Sequence, residues 1–146
     1  MQQAVSARAP VHLWIVGILS LLWNGYACYD YFMTVSHNQA YLSQMPADQL
    51  AYLDTLPAWL TGTWALGVWG GLAGALLLLM RSRHAVSAFA VSLLGVIVTF
   101  GYQFLTTQMP ASMTEGAMAA IPIVIFVIAL ALLWYSRSVE KQGLLR

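Results

Sequence analysis

Charge is what this chain has least of. Six lysines and arginines and five aspartates and glutamates make up 8% of its 146 residues, while 60% are hydrophobic. Soluble globular domains carry about a quarter charged residues. That shortage excludes an ordinary soluble domain and points to one integral membrane domain over residues 1–146. A net charge of +1 without a basic cluster excludes a nucleic-acid partner. The single cysteine, Cys28, excludes an internal disulfide and any multi-cysteine metal site. His12 and His84 fall at one predicted membrane boundary and His37 beyond the other, so no pair stands at the depth for axial haem ligation. The chain contains no nucleophile elbow, phosphate loop or zinc-type spacing, so no catalytic residue, metal or cofactor is assigned and an enzyme fits poorly.

Present instead are long uncharged runs. From Ala58 to Met80 there is no charge, and at about 1.5 Å per residue this stretch crosses the roughly 30 Å of bilayer hydrocarbon. The same pattern predicts helices over about 11–32, 58–80, 85–105 and 117–135. The fold expected is all-α, an integral membrane four-helix bundle. The first run follows Arg8 but is too long, and too poor in small residues at its end, for a cleaved signal peptide, so it is read as a retained helix.

All the basic residues fall on one side of this layout: Arg8 before the first helix, Arg81 and Arg83 in the loop 81–84, and Arg137, Lys141 and Arg146 after the fourth helix. The loops 36–57 and 106–116 contain none. The positive-inside rule places both termini and the short basic loop in the cytoplasm. In the first outer loop Pro46 and Asp48 suit a helix start, and Leu50, Leu53 and Leu56 follow at helical spacing. A short interfacial helix is expected there, as a cap on the bundle or, alternatively, a lid. Pro122, about one turn into the fourth helix, reads as a helix-start proline.

Membrane helices associate through stripes of small residues. One stripe runs through Gly17, Ser20 and Asn24, a second through Thr63, Gly67, Gly70 and Gly74, and a third through Ala88, Ser92, Gly95 and Thr99. The pairs Gly67/Gly71 and Gly70/Gly74 also read as GxxxG, which serves either packing within the bundle or dimerisation. The opposite face of the third helix, including Phe89, Ile97 and Phe104, is expected to meet lipid or a partner. The fourth helix, without a polar stripe, is expected at the edge.

Asn24 lies near mid-membrane, where an unpaired amide is costly. A hydrogen bond to Thr99 is the expected solution. The segment WNGYACYDY from Trp23 to Tyr31, with Trp64, Tyr102 and Gln103, falls in the outer half. These residues read either as an interfacial aromatic belt or as a site for a small polar ligand built from Asn24, Asp30, Tyr31, Trp64, Tyr102 and Gln103. Asp30, the only acidic residue in a predicted span, reads as functional or merely interfacial.

The stretches LWIVGILSLLWNGYACYDYFMT, PAWLTGTWALGVWGGLAGALLLLMRSRHAVSAFAVSLLG and YQF from Tyr102 resemble a group of small four-span bacterial inner-membrane proteins, some of which carry the automatic label "sugar transporter". The resemblance spans nearly the whole chain and implies a multi-pass protein of the bacterial inner (cytoplasmic) membrane; it assigns no catalytic residue. The first functional reading is an accessory or scaffold subunit of a larger membrane complex, with a dry interior. The alternative is a small-solute binding or transport protein, with sugars among its candidate solutes, acting as a parallel homo-oligomer with an outward-facing polar and aromatic site. A third, an enzyme acting on a lipid or quinone, requires a cavity opening sideways to the bilayer.

Overall fold

A computed structural model describes residues 8–146, which form helices and connecting turns with no strand among them. The helices are α1 (Val11–Val35), α2 (Gln39–Leu42), α3 (Ala47–Thr55), α4 (Ala58–Leu79), α5 (His84–Thr106), α6 (Ala111–Thr114) and α7 (Ile121–Lys141), with a 3-10 turn over Gly116–Ala120 leading into α7. Four helices are long and apolar enough to cross a membrane: α1, α4, α5, and α7 with the turn before it.

The five prolines all stand at helix starts. Pro10, Pro46, Pro57 and Pro110 immediately precede α1, α3, α4 and α6, and Pro122 is the second residue of α7. At these positions the missing N–H costs nothing, because the first turn has no internal acceptor for it. Three of the spanning helices end alike. After α1, α4 and α7 the chain reverses through His37, Arg81 and Gly143, at φ values of 54°, 58° and 73°. In each case two backbone N–H groups fold back onto the last turn, as Arg81 and Ser82 do onto Leu78 and Leu77 at 3.0 and 2.8 Å.

α1 packs on α4, α4 on α5 and α5 on α7. The small residues explain how closely. A Cβ at Gly95 would stand 2.5 Å from the Gly67 nitrogen and 2.7 Å from the Thr63 carbonyl, so α4 and α5 touch backbone to backbone. Gly70 faces Ser92, and Gly74 receives the Phe89 ring. Gly71 lies between the two neighbours, against the Asn24 side chain on α1 and with Ser92 Oγ of α5 3.2 Å from where its Cβ would be, while Gly17 on α1 receives Leu79. The overlapping GxxxG pairs are thus occupied within the bundle, three glycines toward α5 and one toward both α1 and α5.

Two expectations need correction. Phe89 is not a lipid-facing residue: it is 1% exposed and fills the space that Gly74 leaves. Asn24 does not bond Thr99. Its Nδ2 donates to the Ser20 carbonyl one turn back at 2.8 Å, and Thr99 pairs with Thr63 at 2.9 Å instead. Both polar groups find nearer partners, one within its own helix and one across the tight α4/α5 seam.

The apolar core sits at the basic end. Leu13, Leu78, Phe89, Leu132 and Val139 form it together with Leu144 and Leu145 from the tail. α7 continues beyond the expected limit at residue 135 to Lys141, and the tail then turns back across the 81–84 loop. There the Arg146 N–H donates to the Arg81 carbonyl at 2.7 Å, the Arg83 N–H to the Arg146 carbonyl at 2.9 Å, and Arg81 Nε to the Leu144 carbonyl at 3.0 Å. These bonds satisfy backbone groups on both segments while the two leucines close the core from below.

Candidate functional site: a cavity between the first and last spans

α1 and α7 stand at the two ends of the helix row. At the basic end His12 Nδ1 meets the Tyr135 hydroxyl at 2.6 Å, with the two rings edge to face at 5.8 Å. Every buried residue of α7, Leu132, Ser136 and Val139, lies in that half. Toward the opposite end α7 offers only exposed or half-buried side chains, and it is not packed as a neighbour of α1. The space left between α1, α4, α5 and α7 is a cavity of about 580 Å³, within the range of about 300–1,000 Å³ usual for small-molecule sites.

The floor is Phe89 and Leu132, the upper limit of the closed core. The walls carry Gly67, Val68, Ser92, Gly95, Val96, Thr99, Ile125 and Ile128. The two wall hydroxyls are already engaged: Ser92 donates to the Gly67 carbonyl at 2.6 Å and Thr99 pairs with Thr63. The walls therefore offer no free O–H donor and are otherwise apolar. Trp23, Asn24, Tyr26 and Trp64 stand on the α1/α4 side, and the mouth is formed by Asp30, Gln49, Met109, Met113 and Met118. Methionines on loops suit an adaptable rim, because their unbranched thioether chains repack around different shapes.

Asp30 is placed by a ladder of tyrosines. Tyr26 and Tyr29 on α1 lie 6.4 Å apart, and Tyr29 meets Tyr41 of α2 edge-on at 5.8 Å. The Tyr41 hydroxyl donates to Asp30 Oδ1. Burial, reinforced by the carboxylate it bonds, pushes the Tyr41 hydroxyl well above its ordinary pKa, so it remains a donor across the physiological range. Asp30 Oδ2 has no partner among the described residues.

α3 covers the mouth. Tyr52, buried, bonds Thr107 beyond the end of α5 at 2.8 Å, and the Ser112 N–H on α6 donates to Asp48 Oδ2 at 3.3 Å. The polar groups of Ser112, whose hydroxyl itself makes no hydrogen bond among the described residues, hold Asp48 below the ordinary aspartate value of 3.8. A depressed folded pKa means that this contact is present above that value and lost as pH falls through the lowered one. In an acid titration followed by NMR, the Ser112 amide proton is expected to shift with a midpoint below 3.8, and Asp48→Asn is expected to abolish the transition.

Of the six residues singled out as a ligand site, Asn24, Asp30 and Trp64 line the cavity. The other three do not. Tyr31 packs edge-on against Trp64 and Trp69 at 5.0 and 6.4 Å, behind the wall. Tyr102 meets Trp59 at 5.0 Å, and Gln103 is buried with its Oε1 unpartnered. Both follow Thr99 one turn further along the α4-facing side of α5, where Tyr102 meets Trp59 as Thr99 meets Thr63, beyond the end of the cavity wall. The mouth methionines and Gln49 carry no periodicity that marks them in the sequence. A second hollow, about 300 Å³ on the outside of α5 and α7, is lined by Val96, Ile97, Phe100, Phe104 and other apolar groups. It has the character of a lipid-facing crevice.

Compared with protein families, with curated proteins and with solved structures, the chain has no match. The geometry of the cavity therefore carries the functional reading. Among its described lining residues there is no histidine or cysteine, and the Ser92 and Thr99 hydroxyls bond the Gly67 carbonyl and Thr63 rather than Asp30. The arrangement can bind and orient a molecule with one polar end.

Proposed function

We propose that this chain is a four-span protein of the bacterial inner membrane that binds an amphipathic small molecule in the cavity between α1 and α7. One observation carries the reading: a cavity of about 580 Å³ with an apolar floor and walls and its polar groups gathered on one side and at the mouth. An accessory subunit with a dry, filled interior fits that space less well. So does a sugar site, which needs hydroxyl partners along its whole length, whereas Ser92 and Thr99 are already engaged. The placement of all six basic residues on one side supports an orientation with both termini in the cytoplasm and the mouth facing outward. The resemblance to small inner-membrane proteins agrees with that location.

Filling the cavity tests the reading. Ala129, on the wall contributed by α7, is half-buried and faces space that a phenylalanine ring can occupy. Purified Ala129→Phe is expected to keep or slightly raise its basal melting temperature while losing stabilisation by amphipathic compounds that raise the melting temperature of the native protein. Equal stabilisation of both proteins would place binding elsewhere.

A further inference from the structure

We infer that the ligand's polar end is a cation, held by Asp30 together with the aromatic faces of Trp23, Tyr26 and Trp64; this rests on the cavity being the binding site proposed above. Asp30 is the only Asp, Glu, Lys, Arg or His among the described lining residues. It brings a carboxylate to the mouth of a space whose floor and most of whose walls are apolar. One of its oxygens is taken by Tyr41 and the other, Oδ2, has no partner among the described residues. A carboxylate half-withdrawn from water, with no basic residue among the described lining residues, is stabilised by a counter-charge that the ligand itself supplies.

The aromatic residues select among cations. Indole and phenol faces attract an organic ammonium or phosphonium, and the gain grows when water is excluded from the contact. They contribute much less to a strongly hydrated inorganic ion, which would also need several oxygen ligands. Below the polar groups, Phe89, Val96 and Leu132 accept an apolar body. The same lining argues against a phospholipid. No lysine or arginine among the described lining residues is present to meet a phosphate, which would face Asp30 as a like charge. The class that fits is a lipophilic monocation of drug size.

The test uses the full chain in a non-ionic detergent with two probes of similar shape, tetraphenylphosphonium as the cation and triphenylphosphine oxide as the neutral molecule. Binding is read by equilibrium dialysis and by quenching of tryptophan fluorescence, since Trp23 and Trp64 border the site. The cation is expected to bind about tenfold or more tighter than the oxide. Asp30→Asn, which keeps an oxygen to accept the Tyr41 O–H, is expected to lose about tenfold in cation affinity while oxide binding stays within about twofold; Asp30→Glu is expected to recover part of the loss. Should Asp30→Asn fail to fold, Trp23→Leu, at a position 40% exposed, carries the same comparison with an expected loss of about threefold confined to the cation. Equal affinity for both probes, or equal losses in the variants, overturns the cationic head and leaves the cavity as a site for neutral amphiphiles. If neither probe binds the native protein and Ala129→Phe behaves as native toward every compound, the cavity reading fails and the cation inference falls with it.

Discussion

Gly95→Leu is expected to lower the stability of the purified protein by about 3 kcal/mol or more, the largest effect of any single substitution on the α4/α5 seam. The reason is the identity of the atoms in the way. A side chain at residue 95 meets the Gly67 nitrogen at 2.5 Å and the Thr63 carbonyl at 2.7 Å, which are backbone atoms and cannot rotate aside. The helices must separate, and separation also stretches the Ser92 bond to the Gly67 carbonyl and the Thr63–Thr99 pair. Without a hydrophobic drive between helices in lipid, these contacts are what holds the seam. Gly101→Leu is the control, because nothing stands within 4 Å of a Cβ there. It gains helix propensity and is expected to be neutral or slightly stabilising. Reversible unfolding in mixed detergent micelles separates the two. A Gly95→Leu protein as stable as Gly101→Leu would show that α4 and α5 are less closely apposed than the structure places them.

The tail is expected to be comparably sensitive when both of its leucines are removed. Leu144 and Leu145, 8% and 7% exposed, belong to the same cluster as Leu13, Phe89 and Val139. The double variant Leu144→Ala/Leu145→Ala removes both and is expected to cost about 4 kcal/mol, with a lowered melting temperature. The backbone bonds of Arg146 to Arg81 and Arg83 then lose the packing that keeps them in register. Hydrogen exchange at the Arg83 amide reports this directly, and it is expected to rise markedly in the double variant. Unchanged protection and melting would reduce the tail to a surface segment with no part in closing the bundle.

Much of this fold was legible from hydropathy and charge, because the bilayer imposes a length on each span and a sign preference on each loop. α1, α4 and α5 begin and end within a few residues of where the apolar runs do. The end of α7 was not legible in the same way. Apolar character fades at Tyr135, but helix geometry continues through Ser-Arg-Ser-Val-Glu-Lys, since hydropathy marks where lipid stops and not where backbone bonding stops. Gly143 was a usable sign of the true end, being the one glycine just beyond a run of helix formers. Of the glycines on α4, Gly67, Gly70 and Gly74 of the stripe meet α5, while Gly71, left out of the stripe, is the residue that meets Asn24. A helix between two neighbours needs two small faces, and a single stripe describes one. The cavity was least visible. It arises where α7 fails to pack on α1, and no periodicity in either helix records a contact that is missing.

The order of the helices in space bears on how the molecule is made. Each spanning helix lies beside the one synthesised just before it, α4 on α1, α5 on α4 and α7 on α5. Contacts of that kind close small loops and form early, so each new span can dock as it enters the bilayer. The contacts at the basic end depart from this order, among them the bond between His12 and Tyr135, whose partners are 123 residues apart, and the packing of Leu13 with Val139. They can form only after the fourth span has arrived, which makes the meeting of the first and last helices the final event of assembly and the cavity above it the last part of the protein to acquire its shape.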